Sequence, residues 1–149
     1  MSGATPAPDD GSEAADTKGA SGSARGLLDT SVFVARESGR PLGPLPREWA
    51  VSVVTIAELR LGVLMADDPL VRAQRLRTLV EVQTRIQPLA IDAAVAATFA
   101  EIVAEARRDG RRPKAMDAWI AATAVTHDLP LYTQDDGFSA MPRVKIVRV

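Results

Sequence analysis

Cysteine is absent from the 149 residues. Disulfide staples, thiolate metal sites and cysteine nucleophiles are therefore excluded, which fits a cytoplasmic protein. Histidine occurs once, as His127. It sits beside Asp128 at a predicted helix end, where a contact with the C-terminal helix dipole is its expected role, and no Ser-His-Asp or Cys-His set is evident. Aromatic residues make up only 4% of the chain, so the core is expected to be aliphatic. Trp49, Trp119 and Tyr132 are expected in core or interface positions and not as base-stacking platforms. No apolar run approaches the roughly 20 residues of a membrane-spanning helix, and the N-terminus lacks the basic-then-apolar layout of a signal peptide. A large excess of one charge is also missing. The formal net charge is −1. Asp9, Asp10, Glu13 and Asp16 against Lys18 and Arg25 put −2 in the first 25 residues and leave +1 for the rest. Any nucleic-acid binding must then rest on a local patch.

Residues 1–24 consist of Ser, Gly, Ala, Pro and Asp with almost nothing large and apolar, a composition that cannot offset its own ordering entropy. They are expected to form a disordered tail, with one domain over residues 25–149. Deleting residues 2–24 should therefore leave the melting temperature within a degree or so of the full chain; a loss of several degrees would show the tail to be part of the core.

From Gly26 onward strand and helix patterns alternate. Gly26-Leu27-Leu28 reads as a strand ending in Asp29-Thr30-Ser31, with a helix through Val32 to Ala35. Ala50 to Val54 reads as a second strand, with Thr55 as the N-cap of the next helix and Glu58 three residues later. Pro69 to Arg85 has helical spacing. Leu89-Ala90-Ile91 reads as a brief strand, with Asp92 capping a helix that runs to the basic turn Arg107 to Arg112. A buried helix is predicted from Lys114 to His127 with Pro113 at its start, then strands at Leu131-Tyr132 and Val144 to Val147. Alternating strands and helices imply an α/β fold, with a mostly parallel sheet of about five strands covered by helices.

In open parallel sheets the working site lies beyond the carboxyl ends of the strands. Asp29, Glu58 and Asp135 occupy such positions, and Asp117 lies in the first turn of an otherwise apolar helix. A helix N-terminus favours an anion by roughly 0.3–1 kcal/mol, which accounts for Glu58 or Asp117 taken singly. Four converging carboxylates need more: two of them about 5 Å apart repel by roughly 3 kcal/mol at an effective dielectric of 20. Such a cluster implies a cation, and oxygen-only donors point to Mg²⁺ or Mn²⁺. The basic residues Arg107, Arg108, Arg111, Arg112 and Lys114 lead directly into Asp117, so their turn is either a solvated loop or a holder of nucleic-acid phosphates.

Four runs carry a family resemblance: Leu27-Leu28-Asp29-Thr30-Ser31, Val54-Thr55-Ile56-Ala57-Glu58-Leu59, Met116-Asp117-Ala118-Trp119-Ile120-Ala121-Ala122-Thr123-Ala124 and Leu131-Tyr132-Thr133-Gln134-Asp135-Asp136-Gly137-Phe138. In order and spacing they resemble PIN-domain ribonucleases of the VapC toxin type. The resemblance implies that Asp29, Glu58, Asp117 and Asp135 bind Mg²⁺ or Mn²⁺ and catalyse hydrolysis of RNA phosphodiesters, with Thr30, Ser31 and Thr133 as polar supports. The fourth acid falls two residues after the threonine, which selects Asp135 and leaves the adjacent Asp136 as second choice. It further implies a VapB-type antitoxin partner, a homodimer and structured RNA such as tRNA or rRNA as substrate. Two alternatives stay open: a housekeeping PIN nuclease acting on RNA or DNA, and a metal-free binding module. A receiver domain would leave Glu58 unexplained, and an Asp-x-Asp phosphatase fails because Ser31 stands at the second position.

Overall fold

A computed structural model describes residue 3 and residues 24–149 of the chain. The expected tail of residues 1–24 thus lies outside the described residues, apart from Gly3 and Ala24. In chain order the elements are β1 (Arg25–Leu28), α1 (Thr30–Glu37), β2 (Glu48–Ala50), α2 (Val53–Met65), α3 (Pro69–Arg85), α4 (Ala93–Arg108), α5 (Ala115–Thr126), β3 (Leu131–Thr133), a 3₁₀ turn (Asp136–Phe138) and β4 (Ile146–Arg148).

The four strands pair in the order β2-β1-β3-β4, and all the pairings are parallel. Alternation along the strands sorts the core onto two faces. Leu27 and Leu131 pack with Val95, Ile102 and the apolar residues of α5 on one side. Leu28 and Tyr132 pack with Val32, Phe33, Leu79 and Val82 on the other. Each such side chain removed from water stabilises the fold by roughly 1.5–3 kcal/mol, so both faces must stay covered, which is why the strands read as continuous apolar runs. The aromatic residues are core residues, as expected. Tyr132 is fully buried, Trp49 meets Phe33 edge-on with centroids 5.8 Å apart, and Trp119 stacks on Phe99 at 3.8 Å.

Two helix starts follow the sequence closely. Asp68 accepts from the amides of Leu70 and Val71, with Pro69 opening α3, and Asp92 accepts from the Val95 amide at 2.9 Å to start α4. Other boundaries differ. Among the described residues four strands form where about five were expected, because Leu89 makes only an isolated bridge to Ser52. Pro88 precedes it, α4 follows Asp92, and its neighbour has already turned into α2, so no ladder can grow. The second strand ends at Ala50 instead of Val54, and Ser52 caps α2 by accepting from the Val54 amide at 3.1 Å. Thr55 is therefore a fully buried residue inside the first turn of α2 and not its cap, and Glu58 falls in the second turn. Helix α5 begins at Ala115, one residue after the expected start, with no side-chain cap on its first turn. The last strand covers Ile146–Arg148 in place of 144–147.

Chain order against sheet order fixes where a site can form. The crossover through α1 carries the chain from β1 to β2 on one side, whereas β3 joins β1 on the other. The carboxyl ends of β1 and β3 therefore flank the point at which the connections diverge, where a crevice opens in parallel sheets.

Candidate active site

Asp29 follows β1 directly and caps α1, and the residue is 4% exposed. Its Oδ2 accepts from the Ser31 amide at 3.3 Å and from the Thr133 hydroxyl at 2.9 Å. Thr133 ends β3, so this one carboxylate ties together the two strands at the divergence point. The Thr133 hydroxyl has a single proton, and the carboxylate takes it. The contact of 3.1 Å between the hydroxyls of Ser31 and Thr133 must then be donated by Ser31. Ser31 Oγ in turn accepts from the Gln134 amide at 3.0 Å, and Thr133 Oγ1 accepts from the Asp135 amide at 2.9 Å. Thr30 donates to Glu58 Oε1 at 2.8 Å, joining α1 to α2. The three hydroxyl residues expected to support the site thus orient its backbone and two of its acids.

Asp135 opens the 3₁₀ turn and accepts from the Gly137 amide at 2.8 Å. Gly137 is a site residue that the sequence analysis missed. A Cβ placed on it would lie 3.2 Å from Asp135 Oδ1 and 3.3 Å from Asp117 Oδ2, so the absent side chain leaves a gap faced by both carboxylates. The one available signal was a glycine directly after two aspartates. Asp136 turns elsewhere: its side chain is 91% exposed and pairs with Arg148 at 2.6 Å.

The acids sense one another. Asp117 is raised from its ordinary 3.8 to about 6, first by burial, then by Asp135, Asp29 and Glu58, with Lys114 pulling the other way. Glu58 is also raised, chiefly by burial and further by Asp29 and Asp135, against the lowering effect of the Thr30 hydroxyl. Mutual repulsion among four carboxylates from four separate elements is what a cation would relieve. Among the described residues no three such groups stand close enough, as they are, to hold one ion. The chemistry of the donors and the gap at Gly137 nevertheless fit a hard divalent ion. His127 closes the opposite end of α5 from Asp117, consistent with the capping position expected of it.

These couplings separate Asp135 from Asp136. In the Asp135→Asn variant the Asp117 midpoint is expected to fall below about 6, because a like charge is removed. Asp136→Asn should leave it in place and lose only an exposed ion pair of about 0–1 kcal/mol. Carboxyl-carbon NMR titration decides: an equal shift in both variants would mean that Asp136 also faces the cluster.

An α/β sheet with acids gathered where β1 and β3 end matches a known class. The chain belongs to the PIN-domain family, whose model, described as "PIN domain", matches residues 26–144. It is 45% identical to Ribonuclease VapC4 of Mycobacterium tuberculosis over 127 residues, 84% of this chain and 97% of that protein. It is 46% identical to Ribonuclease VapC5 of the same organism over 131 residues, covering 85% and 96% of the two chains. The fold superposes on the crystal structure of VapBC-5, a toxin-antitoxin system from M. tuberculosis, with a TM-score of 0.75. That match has 43% identity and covers 85% of this chain and 99% of the other.

Proposed function

We propose that this protein is a Mg²⁺- or Mn²⁺-dependent endoribonuclease and the toxin of a VapBC-type pair, cleaving structured RNA such as tRNA or rRNA in the cytoplasm. The observation that supports this reading best is the gathering of Asp29, Glu58, Asp117 and Asp135 at one end of the sheet, with Asp117 raised to about 6 first by burial and then by the other three acids. In it these four acids would hold the ion, and Thr30, Ser31 and Thr133 fix the carboxylates and the turn after β3. The bound metal supplies an activated water and neutralises charge on the phosphoryl oxygens. The chain's own part is to hold the four acids at one end of the sheet, to keep a gap open at Gly137 and to bring a phosphate to it. No side-chain nucleophile is called on.

The relatives' names carry the toxin assignment, and an antitoxin or a second copy of the chain has a surface to cover. On the hairpin of α2 and α3, Leu64, Met65 and Leu70 are 71%, 69% and 82% exposed. Large apolar side chains this exposed on one helix pair are candidates for a protein contact. No helix among the described residues is long and apolar enough to cross a membrane. The test is sequencing of RNA 5′ ends after brief induced expression. New ends at one or a few sites, absent from an Asp29→Asn control, support the reading; identical patterns in the two overturn it.

A further inference from the structure

An acidic centre repels the polyanion it is proposed to cut, so the strand needs cations beside it. A cavity of about 170 Å³ opens next to Asp117, between the α4–α5 turn and the segment after β3, lined by Arg111, Arg112, Lys114, Asp117, Gly137 and Ala140. Asp117 and Gly137 border both this cavity and the carboxylate gap, so the two spaces share a wall that carries no side chain at position 137.

The five basic residues before Asp117 are not equivalent here. Arg111 donates from Nη1 to the Ala140 carbonyl at 2.9 Å, so its guanidinium bridges one wall of the cavity to the other. Arg107 and Arg108 belong to the last turn of α4, where cations complement the helix dipole, and neither lines the cavity. Arg112 and Lys114 line it, are exposed, and have no part in the side-chain hydrogen bonds or ion pairs of the described residues.

Resting on the ribonuclease reading above, we propose that this cavity is the subsite for an RNA phosphate next to the scissile one, with Arg112 and Lys114 as its ligands. Arg111 is a positioning residue that sets the width of the subsite without touching RNA.

The test uses the full chain with a labelled 20-nucleotide single-stranded RNA in EDTA, followed by fluorescence anisotropy across a KCl series. Wild type should bind, and R112Q/K114Q should bind about tenfold more weakly, with the slope of log K against log[salt] reduced by about 0.7 for one lost phosphate. R107Q/R108Q removes the same charge and should change affinity by no more than about twofold. Arg111→Met should weaken binding with the wild-type slope retained, and Arg111→Lys, which keeps a donor, should restore it. The subsite is overturned if wild type does not bind, if R112Q/K114Q keeps the wild-type slope, or if R107Q/R108Q loses as much. Arg111→Met with a reduced slope overturns its positioning role. Cleavage of the same RNA is assayed separately with Mg²⁺ or Mn²⁺, so that binding as stated without cleavage would sink the ribonuclease reading and leave Arg112 and Lys114 as an RNA-phosphate site with no scissile position beside it.

Discussion

Asp29→Asn is expected to lower RNA cleavage by roughly a hundredfold or more while leaving the fold intact. Loss even of a group that only orients a metal ligand costs about 10–100-fold, and Asp29 is proposed as a ligand itself. The fold should survive because Asn keeps a side-chain oxygen where Asp29 accepts from Ser31 and Thr133, and Asn caps a helix about as well as Asp. Alanine would confound the result, since it removes the cap and orphans the Thr133 hydroxyl together. Single-turnover cleavage in Mg²⁺ decides the matter, with circular dichroism melts confirming the fold. Wild-type rates in the purified Asn variant would end the proposal that this carboxylate takes part in the chemistry.

The second large effect is on stability and changes sign with metal. Asp117 titrates near 6 instead of 3.8, so between about pH 4 and 6 the folded chain keeps a proton that the unfolded chain has released. Its contribution to stability therefore falls as pH rises through that window and is at its worst above it. A two-unit shift corresponds to about 3 kcal/mol, which partial exposure reduces to about 1 kcal/mol. Without metal at pH 7, Asp117→Asn should melt about 3 °C higher than wild type, and the gain should vanish by about pH 4. With metal at a hundred times its Kd, wild type gains about 2.7 kcal/mol that the variant largely lacks, so the order reverses. That gain should decline below about pH 6, where Asp117 must lose its proton before it can bind. Melting curves at two pH values with and without Mn²⁺ suffice; identical curves throughout would mean that the acids share no ion.

What the sequence disclosed depended on how local each signal was. The helix starts at Pro69 and after Asp92 are self-contained signals, and the structure has them where the sequence puts them. The run Ala50 to Val54 is ambiguous because a short β-branched stretch suits a buried strand and the first turn of a buried helix equally. Ser52 resolves it only once Leu89 is seen to occupy the neighbouring backbone. The candidate acids could be named from topology, since strand ends and helix starts are local features. Their separations depend on packing between distant elements, as do the Asp136 ion pair with Arg148 and the Arg111 contact with Ala140. Gly137 escaped notice because its role is defined by two side chains from elsewhere in the chain.

At the lower end of the sheet, a side chain on Gly26 would put its Cβ 2.4 Å from Cε2 of the Tyr132 ring. The ring fills the place where β1 has no side chain, so the two strands are keyed to each other like a lock and its ward. Asp29 stands three residues beyond Gly26, and Thr133 one beyond Tyr132. Gly26→Ala, a change of one methyl group away from the four acids of the site, forces either the buried Tyr132 ring or the two strands to shift, and a shift of the strands would reach the Asp29–Thr133 contact. The alignment of the acidic centre is thus gauged at the far end of the same two strands.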